Sequence, residues 1–339
     1  MKGCCRMQEA QFRNKVNWIS IICAILVVFL HSYSFGEGTQ DLFAYHLEFF
    51  ISRNIAQASV PTFFALSAFL FYRNFSYSKL GAKYFSRLKT LVLPYLIWNA
   101  ISMVIFYFLS KLPFINTEAF EFTLHNLLDG LVYYEYNLVF WFVFQLIILT
   151  YCFPLFYPLL KKKFVALAVF AFLLYYYGSG NPHFWRVEIK AVIFYLFGAY
   201  FAVHHQEPVV NNRKISVAAV VAFILSQILI YSRYAEEPIV YITVRLLMIV
   251  WVFCFSNLLK DVKLPALLNC SFPIYAMHNI ILEFFNKVFS FLLSVESNLI
   301  LIDYIGSTVM TVAIIAAFNY ILLKKLPGIH GVLFGGRGK

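Results

Sequence analysis

The segment IICAILVVFLHSYSF, residues 21–35, decides the fold, because nine apolar side chains and one cysteine run directly into His31. Together with the apolar residues before it, this segment is long enough to cross about 30 Å of hydrocarbon as a helix. No small-x-small cleavage site follows, so we interpret residues 16–35 as a retained first helix rather than a signal peptide. An imidazole inside such a helix usually faces the interior of a bundle or a wet cavity, since lipid solvates it poorly.

The composition of the whole chain agrees with a membrane environment. Of its 339 residues, 62% are hydrophobic and 13% are charged, whereas soluble domains carry about 25% charged residues. The sequence therefore predicts an all-α, polytopic membrane protein with about ten transmembrane helices. The predicted spans are residues 16–35, 55–72, 91–110, 138–158, 164–178, 189–204, 215–232, 239–256, 271–292 and 299–323.

The net charge of +11 is distributed unevenly between the two sides of these spans. If the N-terminus is cytoplasmic, the cytoplasmic segments contain 20 of the 27 basic residues and only three acids. This asymmetry is the positive-inside pattern, and it predicts that both termini are cytoplasmic. Because topology accounts for the basic excess, we expect no nucleic-acid partner.

The sequence predicts a single integral-membrane domain, residues 1–339, with short basic cytoplasmic tails at 1–15 and 324–339. None of the six cysteines has the spacing of a metal site or a disulfide framework, so we expect no metal. Two aromatic-rich polar stretches, 36–54 and 111–137, are predicted outside. They are interpreted either as interfacial helices or a lid over a site, or as plain connecting loops.

Several polar or aromatic residues within or beside the spans are candidates for a site, and each also has a structural interpretation. A histidine in a span can be hydrogen-bonded to a neighbouring helix, and an arginine at a cytoplasmic helix end is often a headgroup anchor. A serine in a span commonly bonds the carbonyl four residues earlier. The candidates are His31, Phe64 and Ser67 three residues apart, Arg73, Trp141, and Tyr275 and His278 three residues apart.

Taken together, these segments resemble the acyltransferase-3 family, ten-helix membrane enzymes that O-acylate sugars and other cell-envelope molecules. NWISIICAILVVFLHS resembles the family's first helix, and VPTFFALSAFLFYR resembles its F-x-x-S-G-x-x-x-x-R segment. YFSRLKTLVLPYLIWN, NLVFWFVFQL and FPIYAMHNII resemble the next basic loop and third helix, the W-F helix and the Tyr-x-x-His helix, in the family's order. Two positions depart from the pattern: Ser20 replaces the basic residue eleven positions before His31, and Ala68 replaces the glycine after Ser67.

The resemblance implies an O-acyltransferase of the inner cell membrane that moves an acyl group, by default acetyl, from acyl-CoA to a hydroxyl of an envelope glycan. It implies that His31 is the catalytic residue, either as general base or as covalent acyl carrier. Eleven residues are about three helical turns, so a basic group at position 20 would share a face with His31 about 16 Å away. Because Ser20 carries no charge, we expect Arg73 to hold the cofactor phosphates.

The remaining candidates follow the same resemblance. Phe64 and Ser67 are expected to contact the cofactor beside Arg73, with Arg87 and Lys89 of the basic loop assisting. Trp141, Tyr275 and His278 are expected to form a substrate or structural site. Membrane lipid and the glycan acceptor are the expected partners, and the acceptor's identity, the acyl chain and the oligomeric state stay open.

Two other interpretations remain. Ten spans with intramembrane histidines also occur in transporters and flippases of polar metabolites, which Gly- or Pro-interrupted helices in two matching halves would favour. The missing cation at Ser20 is consistent with a degenerate family member that binds a ligand without turnover.

Overall fold

The computed structural model describes residues 2–32, 41–111, 123–204, 213–292 and 298–336. These residues are almost entirely helical, as the apolar blocks predict. The strands β1 (His183–Phe184) and β2 (Val187–Glu188) form one antiparallel hairpin. The helices are α1 Lys2–His31, α2 Phe43–Phe49, α3 Ser59–Tyr72, α4 Leu80–Arg87, α5 Leu93–Leu109, α6 Leu124–Val132, α7 Trp141–Cys152, α8 Tyr157–Lys161, α9 Lys163–Gly178, α10 Ile189–His204, α11 Arg213–Ile230, α12 Pro238–Phe255, α13 Ser271–Leu292, α14 Ile300–Lys325 and α15 Pro327–Phe334.

Helices occupy every predicted span, and three helical runs begin well before the predicted bounds. Helix α1 begins at Lys2 instead of residue 16 and ends at His31, and residues 33–35 of its predicted span lie outside the described residues. A π-helical segment and a short 3-10 turn join α2 to α3, so that the run from Phe43 to Tyr72 is 30 residues long. Likewise, a π-helical segment at Leu88–Val92 joins α4 to α5 within the run Tyr77–Leu109. Residues 43–54 of the first polar stretch are therefore helical, while residues 36–40 of it and 112–122 of the second lie outside the described residues.

Six helical runs in the described part of the chain are long and apolar enough to cross a membrane. They are Glu9–His31, Phe43–Tyr72, Tyr77–Leu109, Leu138–Lys161, Pro238–Leu259 and Ile300–Lys325. Three further apolar helices are shorter, at Lys163–Gly178, Ile189–His204 and Val217–Ile230. The protein is thus a multi-pass membrane protein, and the count of ten spans stays a prediction.

The chain divides into two compact units, each built from two stretches of sequence. The first unit consists of Met1–Asn74 and Leu155–Tyr320, and the second of Phe75–Pro154 and Ile321–Lys339. In the first unit, α1 is buried on two sides. Ile19 and Cys23 pack with α3, α11 and α12, whereas Ala24 and Val28 pack with α13 and α14.

Helices α3 and α10 approach each other closely in the first unit because of Gly198. A Cβ atom at this position would overlap the backbone of Ala65 on α3. Small residues allow helix backbones to come together in this way in lipid, where packing replaces the hydrophobic effect as the source of association. The contact fixes α3, which carries Phe64 and Ser67 and is followed directly by Arg73.

The second unit is held together by aromatic side chains that bond to backbone carbonyls. Trp98 on α5 donates to the carbonyl of Leu333 at 3.0 Å and stacks on Phe334, which is fully buried. Gly335 ends α15 with a positive φ of 66°. A side chain there would also meet the backbone of Thr90, so the glycines of the C-terminal tail serve to stop this helix.

Candidate active site

His31 is the last residue of α1, and its ring lies beside that of His278 on α13. The two ring centroids are 5.3 Å apart and the rings are tilted by 46°. His31 is exposed, whereas His278 is completely buried. The burial of α1 against α13 brings these residues together, although 247 positions separate them in the sequence.

The hydrogen bonds of His278 define which ring nitrogen carries the proton. Nδ1 lies 2.8 Å from the carbonyl oxygen of Tyr275 and 3.2 Å from that of Ile274. A carbonyl oxygen can only accept, so Nδ1 is the donor and a neutral ring leaves Nε2 as an acceptor. Nε2 is buried and has no hydrogen-bond partner in the part of the chain that the structure describes. Burying an acceptor without a partner costs free energy, so a hydrogen bond from a donor group that approaches Nε2 would be favourable.

Tyr275 lies one helical turn before His278 on α13. Its ring centroid is 6.2 Å from that of His278, and its side chain is buried. The Tyr-x-x-His segment therefore presents both rings in the vicinity of His31.

A set of hydroxyl groups that the sequence reasoning missed braces the end of α1. Ser32 is buried and accepts a hydrogen bond from Thr308 on α14 at 2.8 Å. Ser52 and Tyr304 share a hydrogen bond of 2.9 Å, and Ser52 also donates to the carbonyl of Phe29. Polar residues recur every three to four positions along α14, which is the sequence signal that could have identified this face. These bonds fix the position of the neighbouring His31.

Arg73 follows α3 and is paired with Glu9 on α1 rather than standing alone. Its two terminal nitrogens donate to the two carboxylate oxygens of Glu9, at 2.7 and 3.3 Å. Its guanidinium also lies 4.0 Å from the ring centroid of Phe12. Glu9 is 22 residues before His31, which corresponds to about 33 Å along α1. A phosphate bound to Arg73 would have to replace this carboxylate.

The cation that the family pattern has eleven residues before His31 is replaced here by Ser20. The Ser20 hydroxyl donates to the carbonyl of Val16 at 2.8 Å, an ordinary bond within the helix. Lys15 is buried and donates to Asn257 at 2.7 Å. Sixteen residues are about 4.4 helical turns, so Lys15 points away from the face that carries His31.

The other cofactor candidates are divided between the two units. In the first unit, Phe64 is buried and Ser67 is half-buried on α3. In the second unit, Lys89 lies over the ring of Phe85 at 4.3 Å and Arg87 ends α4.

Trp141 also belongs to the second unit, where it is half-buried and begins α7. Among the described residues, no cluster of three His, Cys, Asp or Glu side chains could hold a metal ion. The first unit thus groups His31, Tyr275 and His278 at one end of α1 and places Arg73 at the level of its other end.

A comparison with known families adds independent information. A family model described as an acyltransferase domain matches residues 13–320, which include all nine candidate residues. No curated protein and no solved structure matches the chain.

Proposed function

The chain belongs to the acyltransferase-3 family and is a multi-pass membrane acyltransferase, and we propose that its acyl donor is acyl-CoA. In the proposed reaction an acyl group, by default acetyl, passes to a hydroxyl of a cell-envelope glycan or a related extracytoplasmic acceptor. The proposed location is the inner cell membrane. The observation that carries the proposal is the histidine pair at the end of α1, where an exposed imidazole lies beside a buried one with an unpaired acceptor nitrogen.

His31 is the proposed general base. Bound acyl-CoA would supply a thioester whose carbonyl is open to attack. The imidazole of His31 takes the proton from the acceptor hydroxyl as the new ester bond forms, and it returns that proton to the sulfur as the carbon–sulfur bond breaks. By the predicted topology, His31 lies toward the outer face, where an extracytoplasmic hydroxyl can reach it.

His278 is the proposed positioning residue for His31. Its Nδ1 is held by the α13 backbone, so the ring orientation is fixed. Its Nε2 is left to accept a hydrogen bond from the protonated form of His31, which stabilises the charge that develops on the base. Tyr275 supports this ring from one turn away.

The proposed cofactor contacts in the first unit are Arg73, Ser67 and Phe64. The assisting role of Arg87 and Lys89, which belong to the second unit, stays a prediction from the sequence. The guanidinium of Arg73 already holds two oxygens of Glu9 in the fork geometry that it would use for a phosphate. Binding of the cofactor at Arg73 therefore requires that a phosphate replace the Glu9 carboxylate.

The experiment that tests the proposed function is mass spectrometry of envelope glycans from cells that carry the wild-type protein or His31→Ala. We expect an acyl group, an acetyl in the default case, to be present in the wild type and absent in the variant. The membrane level of the variant, measured by immunoblot, controls for expression. An unchanged acylation pattern at normal protein level would contradict the proposal.

A further inference from the structure

An open cleft of about 800 Å³ lies at the N-terminal end of α1, in the first unit and far from the histidine pair. One wall is formed by α1, including Arg13 and Asn17, and the other by the segment after α12, including Lys260, Lys263 and Asn269. None of the residues that are assigned a role in acyl transfer or cofactor binding above lines this cleft.

The loop that forms the second wall is held firmly against α1. Asn14 donates to the carbonyls of Lys260, at 3.0 Å, and of Val262, and it accepts from the backbone N–H of Leu264. Trp18 donates to the carbonyl of Val262 at 2.7 Å. These bonds fix the loop backbone, so the two lysines that it carries are placed before a ligand arrives.

The charge of the cleft is strongly positive. Arg13, Lys260 and Lys263 line it, while Asp261 is its single acid and accepts a hydrogen bond from Gln11 at 2.7 Å. Within the described part of the chain, neither lysine has a carboxylate within ion-pair distance. Arg13 reaches Glu9 only at 3.9 Å, and that carboxylate is already bound by Arg73. The exposed side-chain amides of Asn17 and Asn269 add hydrogen-bond donors and acceptors to the cleft.

The cleft lies on the same face of α1 as the histidine. Arg13 is 18 residues before His31, which is five full turns, so both side chains leave the helix in the same direction about 27 Å apart. Asn17 is 14 residues before His31, about 21 Å along the axis. Ser20, where the family pattern has its cation, lies on this face between the cleft and His31.

We propose that this cleft binds the phosphates at the nucleotide end of acyl-CoA together with Arg73, which shares the Glu9 carboxylate with Arg13. Arg13, Lys260 and Lys263 then supply the positive charge that Ser20 lacks. The assignment rests on the proposed function for the identity of the donor. A long cofactor with phosphates at one end and a thioester at the other fits a cationic cleft and a histidine on one helix face. The chemistry recognised is a phosphate ester, which an anionic lipid headgroup also offers, so the experiment must separate the two sources.

The experiment measures the affinity of purified full-length protein, in nanodiscs of zwitterionic phosphatidylcholine, for adenosine 3′,5′-bisphosphate, which is the nucleotide end of CoA. We expect the wild type to bind it with an affinity that falls as salt is raised. In Lys260→Ala/Lys263→Ala the affinity should fall at least about tenfold, since two charged contacts are lost. Lys260→Arg/Lys263→Arg should retain most of the affinity, because the charge is kept.

The matched control is Lys161→Ala/Lys162→Ala, which removes two lysines from another segment of the same unit that is predicted to be cytoplasmic. It should bind the nucleotide like the wild type. A second readout is the KM for acyl-pantetheine, which lacks the nucleotide and should be unaffected by the alanine pair at 260 and 263.

Two outcomes would overturn the proposal. One is equal nucleotide affinity, or no nucleotide binding, in the wild type and the Lys260→Ala/Lys263→Ala variant. The other is unchanged nucleotide affinity together with loss of co-purifying anionic lipid, which would make the cleft a headgroup site. Neither outcome depends on His31. If the cleft assignment failed while glycan acylation still required His31, the proposed function would be retained.

Discussion

At the scale of single residues, the two histidines differ in what their ring nitrogens can do. His278 is locked by a hydrogen bond from Nδ1 to a backbone carbonyl, so only its Nε2 is available. His31 is exposed at a helix end and is free to meet a substrate. This difference follows from burial and could not be inferred from the two motifs, which contain one histidine each and do not indicate which one is accessible.

Two substitutions of His278 can distinguish the roles of its two ring nitrogens. The side-chain amide of an asparagine can replace Nδ1 as the donor to the backbone carbonyl, but it places no acceptor at the position of Nε2. The longer side chain of a glutamine can place its amide oxygen at that position. We expect His278→Asn to lower kcat by about 10²-fold, the lower end of acid–base contributions, while the KM for acyl-CoA changes little. His278→Gln should recover part of the rate.

The measurement is acyl transfer by purified protein at several pH values, with thermal unfolding as the control for folding. If His278 were only a packing residue, both variants would lose stability and activity in parallel and the pH profile would keep its shape.

Arg73 and Glu9 give a second prediction at this scale. If Arg73 contacts a cofactor phosphate, Arg73→Ala should raise the KM for acyl-CoA more than it lowers kcat, since binding in the ground state is lost. Glu9→Gln removes the competing carboxylate and should leave that KM unchanged or lower it. The ion pair is partly buried, so thermal unfolding of both variants serves as the control for folding. The measurement is the KM for acyl-CoA of the two variants by steady-state kinetics. A normal KM in Arg73→Ala would show that the arginine only joins α1 to α3 and does not bind the cofactor.

At the scale of helices, the sequence predicts the elements well and their contacts poorly. The apolar runs predict a helix at every position where the structure has a long one. The additional turns before α3, such as the π-helical segment Phe50–Ile55, contain polar residues like Ser52 and Asn54 that become buried only through tertiary contacts. Partners such as Glu9 for Arg73 or Asn14 for the loop at 260–264 are 64 to 250 residues apart, and no local pattern encodes them.

The approach of α10 to α3 gives a prediction for the helix scale. Gly198→Ala would place a methyl group into the backbone of Ala65, and the helices must separate to accommodate it. We expect a loss of stability of about 1–3 kcal/mol, the usual range for overpacking. Thermal unfolding in detergent, followed by size-exclusion chromatography, measures it. Gly81→Ala is the matched control, because nothing lies within 4 Å of a Cβ there and alanine favours helices; equal stability of the two variants would contradict the close contact.

At the scale of the whole molecule, the bonds between α1 and the loop after α12 constrain the topology. Asn14 near the start of the first span is hydrogen-bonded to Lys260 and Val262, so these residues lie on the same side of the membrane. If the six long runs alone crossed, five crossings would separate them, at Glu9–His31, Phe43–Tyr72, Tyr77–Leu109, Leu138–Lys161 and Pro238–Leu259. An odd number places the two ends on opposite sides, which conflicts with the bonds.

The conflict disappears if the three shorter apolar helices, Lys163–Gly178, Ile189–His204 and Val217–Ile230, also cross, because eight crossings then separate the bonded residues. A helix of 16 residues is only about 24 Å long, so such crossings require local thinning of the bilayer or snorkelling of flanking residues. The positive-inside distribution independently favours this arrangement, with Lys161–Lys163 and Lys260 on the cytoplasmic side.

Truncated fusions to alkaline phosphatase, which is active only outside the cytoplasm, distinguish the two arrangements. If the five long runs up to Leu259 and the three shorter helices all cross, giving eight crossings, fusions after Lys162 and Lys263 should be inactive and a fusion after Gly180 should be active. With only the long runs crossing, the last two results reverse, because Gly180 would be cytoplasmic and Lys263 outside. Since the cationic cleft needs Lys260 and Lys263 on the side where acyl-CoA is found, an active fusion after Lys263 would contradict both the topology and the cleft as a nucleotide site.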